Sequence, residues 1–250
     1  MRADVDLSEH LEGLRAALAA FVDHAGRAGL DAAVPTAPDW CVHDLVAQQG
    51  MVHRWAAGHV RGTASDPEAL EAEGLASADP LLWLHDGALD VIEAIQSASD
   101  DLSALVFLHD APAPRQFWAR RQCHETTIHA VDALSASLGR SPVAADTWIA
   151  REIAVDGIDE LLTGFVTRSR AKLRSERPTR FAVRPTDAEQ SWAVTVSEQP
   201  AVTERDGDGD GDVVLEGTAV ALYLTLWNRS DEVAAEGLEL WHDLARVNWS

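Results

Sequence analysis

Arg120–Leu134 reads RRQCHETTIHAVDAL, and the way this stretch winds decides what the rest of the chain must be. Each residue of a helix turns about 100°, so His124 and His129 lie about 140° apart and cannot grip one metal. That excludes the H-E-x-x-H geometry of a zinc protease, whose histidines sit four apart. Glu125 and His129 are four apart, one turn along a single face, and Arg121 and Asp132 extend that face. Two readings stay open. A carboxylate and an imidazole at this spacing supply two legs of a metal site, with Asp132 placed to orient the imidazole. The same residues also suit a surface face of ordinary charge pairs. A catalytic zinc normally takes three protein ligands, so the first reading needs a donor from another helix. The preceding helical stretch offers His43, Gln48, His53 and His59 on different faces, and spacing does not choose among them.

Working outward, apolar residues recur at helical spacing over 7–30 (Leu7, Leu11, Leu14, Leu18, Phe21, Val22). VPTAPDW (34–40) supplies two prolines and an aspartate, a loop suited to cap the next helix, VHDLVAQQGMVHRWAAGHV (42–60). Residues 62–79 read as a polar connector. Asp79-Pro80 opens a third helix, and a fourth runs from about Gln116 to Leu138, closed by Gly139. Four such helices predict an antiparallel bundle. A fifth helical segment is expected over about 146–175. RFAVRP (180–185) and SWAVTVSE (191–198) then alternate like strands, AVTERDGDGDGDVVLEG (201–217) reads as two strands around a turn, and helix returns afterwards. The fold class is therefore an α-helical bundle plus a small α+β domain, divided as 1–145, 146–177 and 178–250.

Composition narrows the function. The net charge of −21 argues against nucleic acid, which needs clustered basic residues. Of 20 basic residues only Lys172 is a lysine, so Schiff-base and Walker-type phosphate chemistry lack raw material. No apolar run is long enough to cross a membrane, and the N-terminus reads as an amphipathic helix rather than a signal peptide. A cytoplasmic protein is expected. Cys41 and Cys123 are too few for a disulfide framework and read as buried structural residues; Trp40, Trp55, Trp118 and Trp148 read as core. Asp206, Asp208, Asp210 and Gly211 fall in phase with a calcium loop, but its twelfth position is Gly217 where a glutamate is required, so the segment reads as a hairpin loop.

Taken together, VPTAPDWCVHDLVAQQGMVHRWA (34–56), RRQCHETTIHAVDAL (120–134) and GTAVALYLTLWNRS (217–230) resemble the mycothiol-dependent maleylpyruvate isomerases of actinobacteria. Their bundle belongs to the DinB-like group of metal-binding four-helix proteins. The resemblance covers nearly the whole chain, and the arginine-rich, nearly lysine-free composition suits such a source. It implies a divalent metal, zinc foremost, held by Glu125, His129 and a second-helix histidine eight residues after the tryptophan of P-x-W. Here that position is Gln48, a neutral and weaker ligand. It also implies mycothiol as thiol cosubstrate, Asp132 beside the metal histidine, and Arg229 facing the site to bind a substrate carboxylate. The implied activity is cis-trans isomerisation or thiol transfer on an electrophilic small molecule, by a monomer or weak homo-oligomer. Gln48 keeps open a non-catalytic member of the same fold that has lost the metal, and a hydrolase using metal-bound water is a third reading.

Overall fold

The computed structural model of the chain describes residues 5–63, 65–207 and 210–245. Its first helix, α1 (Leu7–Ala28), opens on a reciprocal cap: Asp6 accepts from the Glu9 amide while Glu9 accepts from the Asp6 amide. Leu11, Leu14, Leu18, Phe21 and Ala25 form its buried row. Helices α2 (Val42–Arg61), α3 (Pro67–Leu75), α4 (Pro80–Ser97) and α5 (Pro114–Leu138) follow. The stretch expected as a polar connector thus contains α3. Nine residues are too few to show a periodicity, but the start signal is present: Asp66 accepts from the Glu68 amide, and Pro67 takes the first helical position.

The chain divides into two compact units, one of residues 6–106 with 112–142, the other of residues 143–250 with the short segments 1–5 and 107–111. In the first, α1 packs along α5, and α2 packs against α3, α4 and α5. Gln49 bonds Thr126 whereas His59 stacks on Trp118, so α2 and α5 run antiparallel. Trp83 fills the space among α2, α3 and α4, and glycine makes room for it: a Cβ on Gly50 would lie 2.1 Å from its ring. Arg54 covers the ring, its guanidinium carbon 3.8 Å from the centroid, while donating to the carbonyl oxygens of Gly50 and Trp83. Most of α5 is buried, including Arg120, Arg121, Gln122, His124, Glu125, Thr126, Thr127, Asp132 and Ser135. A helix so placed and so polar needs partners for its charges, which is how the fold builds the site described below.

In the second unit α6 (Arg151–Asp159) runs into a π-helical turn, Glu160–Phe165. The helix expected to reach Ser175 stops here, where Arg168 folds back onto the Phe165 carbonyl oxygen and ring. Asp159 ties this helix to the sheet by accepting from Trp192 Nε1 at 3.0 Å and from two nitrogens of Arg205, at 2.5 and 2.8 Å. The strands are β1 (Thr179–Pro185), β2 (Trp192–Val196), β3 (Val202–Arg205) and β4 (Val213–Gly217), in the order β3-β2-β1-β4. Phe181, Val183, Trp192, Val194, Val213 and Leu215 share the apolar face by register; Trp241 of α8 (Glu239–Leu244) meets Phe181 there. Helix α7 (Ala219–Leu226) follows β4 directly.

The two strands within 201–217 do not form the expected hairpin. They are the outer strands of the sheet, and β4 pairs parallel with β1. The described ends of the acidic, glycine-rich connection, 206–207 and 210–212, lie against the other face of the sheet as the two ends of a strap. A Cβ on Gly207 would lie 2.7 Å from the Cβ of Ala193, and one on Gly211 2.9 Å from the Ala182 amide nitrogen. Ala182 and Ala193 are themselves paired, so the strap rests on the smallest side chains of the sheet. Asp208, part of the calcium-loop pattern, and Gly209 lie outside the described residues.

Gly211→Ala should cost about 1–3 kcal/mol of stability, because the groups it meets are backbone and cannot turn aside. A lowered urea midpoint is the expected result; an unchanged midpoint would show that the strap does not lie on β1.

Candidate functional site

Four side chains of α5 share one face, and the structure joins them into a chain. Arg121 Nη2 donates to Glu125 Oε2 at 2.8 Å. Glu125 Oε1 lies 3.5 Å from His129 Nε2, and His129 Nδ1 lies 3.1 Å from Asp132 Oδ2. The exposed-face reading fails. The side chains of Arg121 and Glu125 are 1% and 6% exposed and that of Asp132 is 0%, while His129 at 14% is the most open of the four.

Their protonation follows from that burial. Burial alone would raise the Glu125 pKa, but the Arg121 charge and the His129 hydrogen bond overcome it and hold the carboxyl at about 2. Burial likewise works against a charged His129, yet hydrogen bonds to Asp132 and Glu125 raise its pKa to about 9. The imidazolium lies between two carboxylates. A metal ion would take the place of the Nε2 proton, and the donors fit it. Two ligands of a tetrahedral zinc stand about 3.3 Å apart, close to the Oε1–Nε2 separation of 3.5 Å. Asp132 on Nδ1 supplies the carboxylate–histidine support that metal-binding imidazoles use.

Asp132 is supported in turn. Thr36 Oγ1, in the loop between α1 and α2, donates to Asp132 Oδ1 at 2.6 Å and lies 2.9 Å from Ser135 Oγ. Trp40 of the same loop is half-buried and stacks on the His129 ring, with centroids 6.1 Å apart and planes within 15°. Of the tryptophans expected in the core, Trp118 is fully buried, while Trp40, Trp55 and Trp148 are half-buried. Neither Thr36 nor the role of Trp40 follows from spacing. Only the prolines flanking Thr36 mark the loop as rigid.

From α2, the groups bonded to α5 are Gln49 and His53. His53 Nε2 lies 2.9 Å from Thr126 Oγ1 and 2.8 Å from Gln49 Nε2, and Gln49 Nε2 donates to Thr126 at 3.2 Å. Gln49 and His53, four apart, share a face. Gln48 precedes them, half-buried. His43 is half-buried near the start of α2, and His59 belongs to an aromatic group with Trp55 and Trp118. His124 points away from the Glu125 face, as the helical geometry required, and its ring meets that of His10 edge-on. Of the cysteines, Cys123 is buried as expected, but Cys41 is half-buried and caps α2, its backbone amide and thiol both directed at Asp44. Arg229, in the second unit, lies half-buried just past α7 and donates to the Trp227 carbonyl oxygen at 2.7 Å.

His53 gives the bundle a titration signature. Burial, aided by the Arg54 charge, lowers its pKa to about 3. An unfolded chain would take up this proton near pH 6.5, where the folded one would not, so stability drains away as pH falls below about 6.5. Between pH 6.5 and 5 the loss from this group is about 2 kcal/mol. His53→Gln should flatten the fall in urea midpoint over that interval; an undiminished slope would count against a neutral buried His53.

Comparison with known proteins places the fold. The family model described as the mycothiol maleylpyruvate isomerase N-terminal domain matches residues 11–134, and that of the MDMPI C-terminal domain matches residues 152–248. Among solved structures, a crystal structure of a mycothiol-dependent maleylpyruvate isomerase aligns with a TM-score of 0.59. A histidine-to-alanine mutant of such an enzyme aligns with a TM-score of 0.64. In both cases identity is 14%, covering 94% of this chain and 95% of that chain, so the likeness is one of fold. No curated protein matches the sequence.

Proposed function

The chain belongs to the mycothiol maleylpyruvate isomerase family, and on that premise we propose that it is a metal-dependent enzyme of thiol chemistry, an isomerase or S-transferase acting on a small electrophile. The observation that carries this reading is the Glu125–His129 pair, whose donor atoms are spaced as two ligands of one ion.

In this reading Glu125 Oε1 and His129 Nε2 hold a divalent metal, zinc by the chemistry of a nitrogen and an oxygen donor, and Gln48 stands at the third position. When bound, the ion supplies the charge that keeps a coordinated thiol deprotonated near neutral pH. Arg121 keeps Glu125 ionised and turned toward His129. Asp132 holds a proton on Nδ1, so the other ring nitrogen presents its lone pair. Trp40 covers one face of the imidazole and limits water there. Arg229 is assigned to the substrate, as a cation able to take a carboxylate on two nitrogens. Mycothiol is the proposed thiol, and the substrate is an electrophile bearing a carboxylate and a carbon open to thiol addition.

A second reading rests on Gln48. A neutral amide in place of an imidazole weakens the site, and in the Arg121–Glu125–His129–Asp132 chain each charge already faces an opposite one. A metal-free binding protein of the same fold would need nothing more.

Metal analysis of purified protein beside His129→Ala separates the two. The enzyme reading expects about one zinc per chain, lost in the variant, and Gln48→His should tighten zinc binding about tenfold or more. A wild type that holds no divalent metal after exposure to zinc would sink it.

A further inference from the structure

We propose that the loop between α1 and α2 is a positioning device for His129, with Thr36 its acting residue through Asp132. The proposal deepens the reading of Glu125 and His129 as ligands and rests on it. Thr36 stands 96 positions before Asp132 in the sequence, yet its hydroxyl donates to Asp132 Oδ1 at 2.6 Å, while the other oxygen of that carboxylate faces His129 Nδ1 at 3.1 Å. A carboxylate held at one oxygen cannot turn freely, so the plane of the imidazole is set by the hydroxyl two bonds further out. Trp40 fixes the same ring from a second direction, lying nearly parallel to it.

The loop is built to hold these two residues still. Val34 is fully buried and pins its start. Its amide donates to the Trp40 carbonyl oxygen, the Ala37 amide to that of Val34, and the Trp40 amide to that of Ala37, at 3.2, 2.9 and 2.9 Å. Ala33 and Cys41 close it as a β-bridge. Pro35 and Pro38 lock their own φ angles on either side of the Thr36–Ala37 pair. A segment with no catalytic group of its own is thus rigid, and its two inward side chains converge on one imidazole and its carboxylate. Thr36 is a positioning residue, since it touches neither ligand atom. Losing such a support from a metal-binding histidine typically costs 10–100-fold in affinity.

The test compares zinc affinity, by competition with a chelating dye, and the imidazole nitrogen NMR signals of His129 in wild type, Thr36→Val, Thr36→Ser and Ser135→Ala. Thr36→Val should weaken zinc about tenfold or more and shift the Nδ1 signal in the metal-free protein. Thr36→Ser should restore both, and Ser135→Ala should leave both near wild type. On an Asp132→Asn background Thr36→Val should add nothing, because the two act in series. Thr36→Ala serves in place of Thr36→Val if the latter does not fold. An unchanged Nδ1 signal in Thr36→Val, an equal loss in Ser135→Ala, or a full additional loss on Asp132→Asn would each overturn the proposal. Absence of zinc from the wild type would sink the enzyme reading alone; the Nδ1 signals would still decide the role of Thr36.

Discussion

Glu125 carries a negative charge inside a helical bundle, and the arrangement around it follows from that constraint. A buried carboxylate must find cations and hydrogen-bond donors or lose its proton. Arg121 answers from one turn earlier and His129 from one turn later, the first more buried than Glu125 and the second less. His129 then carries a charge of its own, which Asp132 meets, and Asp132 is met by Thr36. Signs alternate along the row, so the charge of each member is met by a neighbour of opposite sign. In the proposed reading a metal ion would replace the one exchangeable element of the row, the proton between Glu125 and His129.

How much of this was legible follows from where each constraint is written. The α5 face was visible because its members repeat at helical spacing, and one turn of helix fixes their proximity whatever else the chain does. Its burial was not visible, because a row of charged residues has the same pattern on a surface as in a core. Thr36 was invisible for a different reason: its partner is brought to it by the packing of the bundle. On α2, Gln48 was singled out by its place in a family pattern, whereas the residues bonded to α5 are Gln49 and His53. A rotation of about 100° per residue separates these alternatives, and a sequence without its neighbours does not fix the rotation.

The fold shows a parallel contrast. Caps and helix stops announced four long helices, while α3 was hidden by its length and betrayed only by Asp66-Pro67. In the sheet, the DGDGDGD run looked like a turn because glycine and aspartate are turn residues. Glycine also serves another purpose there: Gly207 and Gly211 lie so close over Ala193 and Ala182 that a Cβ at either position would clash. The relatives share the architecture at 14% identity, which is what packing rules permit: volumes and faces are kept while most identities change. Chemistry is less forgiving, and in the proposed reading the amide of Gln48 stands where the family pattern has an imidazole.

The sheet mixes two kinds of connection. Strands β1, β2 and β3 follow one another by short antiparallel connections and pair with near neighbours in sequence. Strand β4 pairs with β1 from much further along the chain, Phe181 opposite Val213. Loop-closure entropy grows with the length of chain enclosed, so the β1–β4 ladder, taken alone, is the costliest of the three to close.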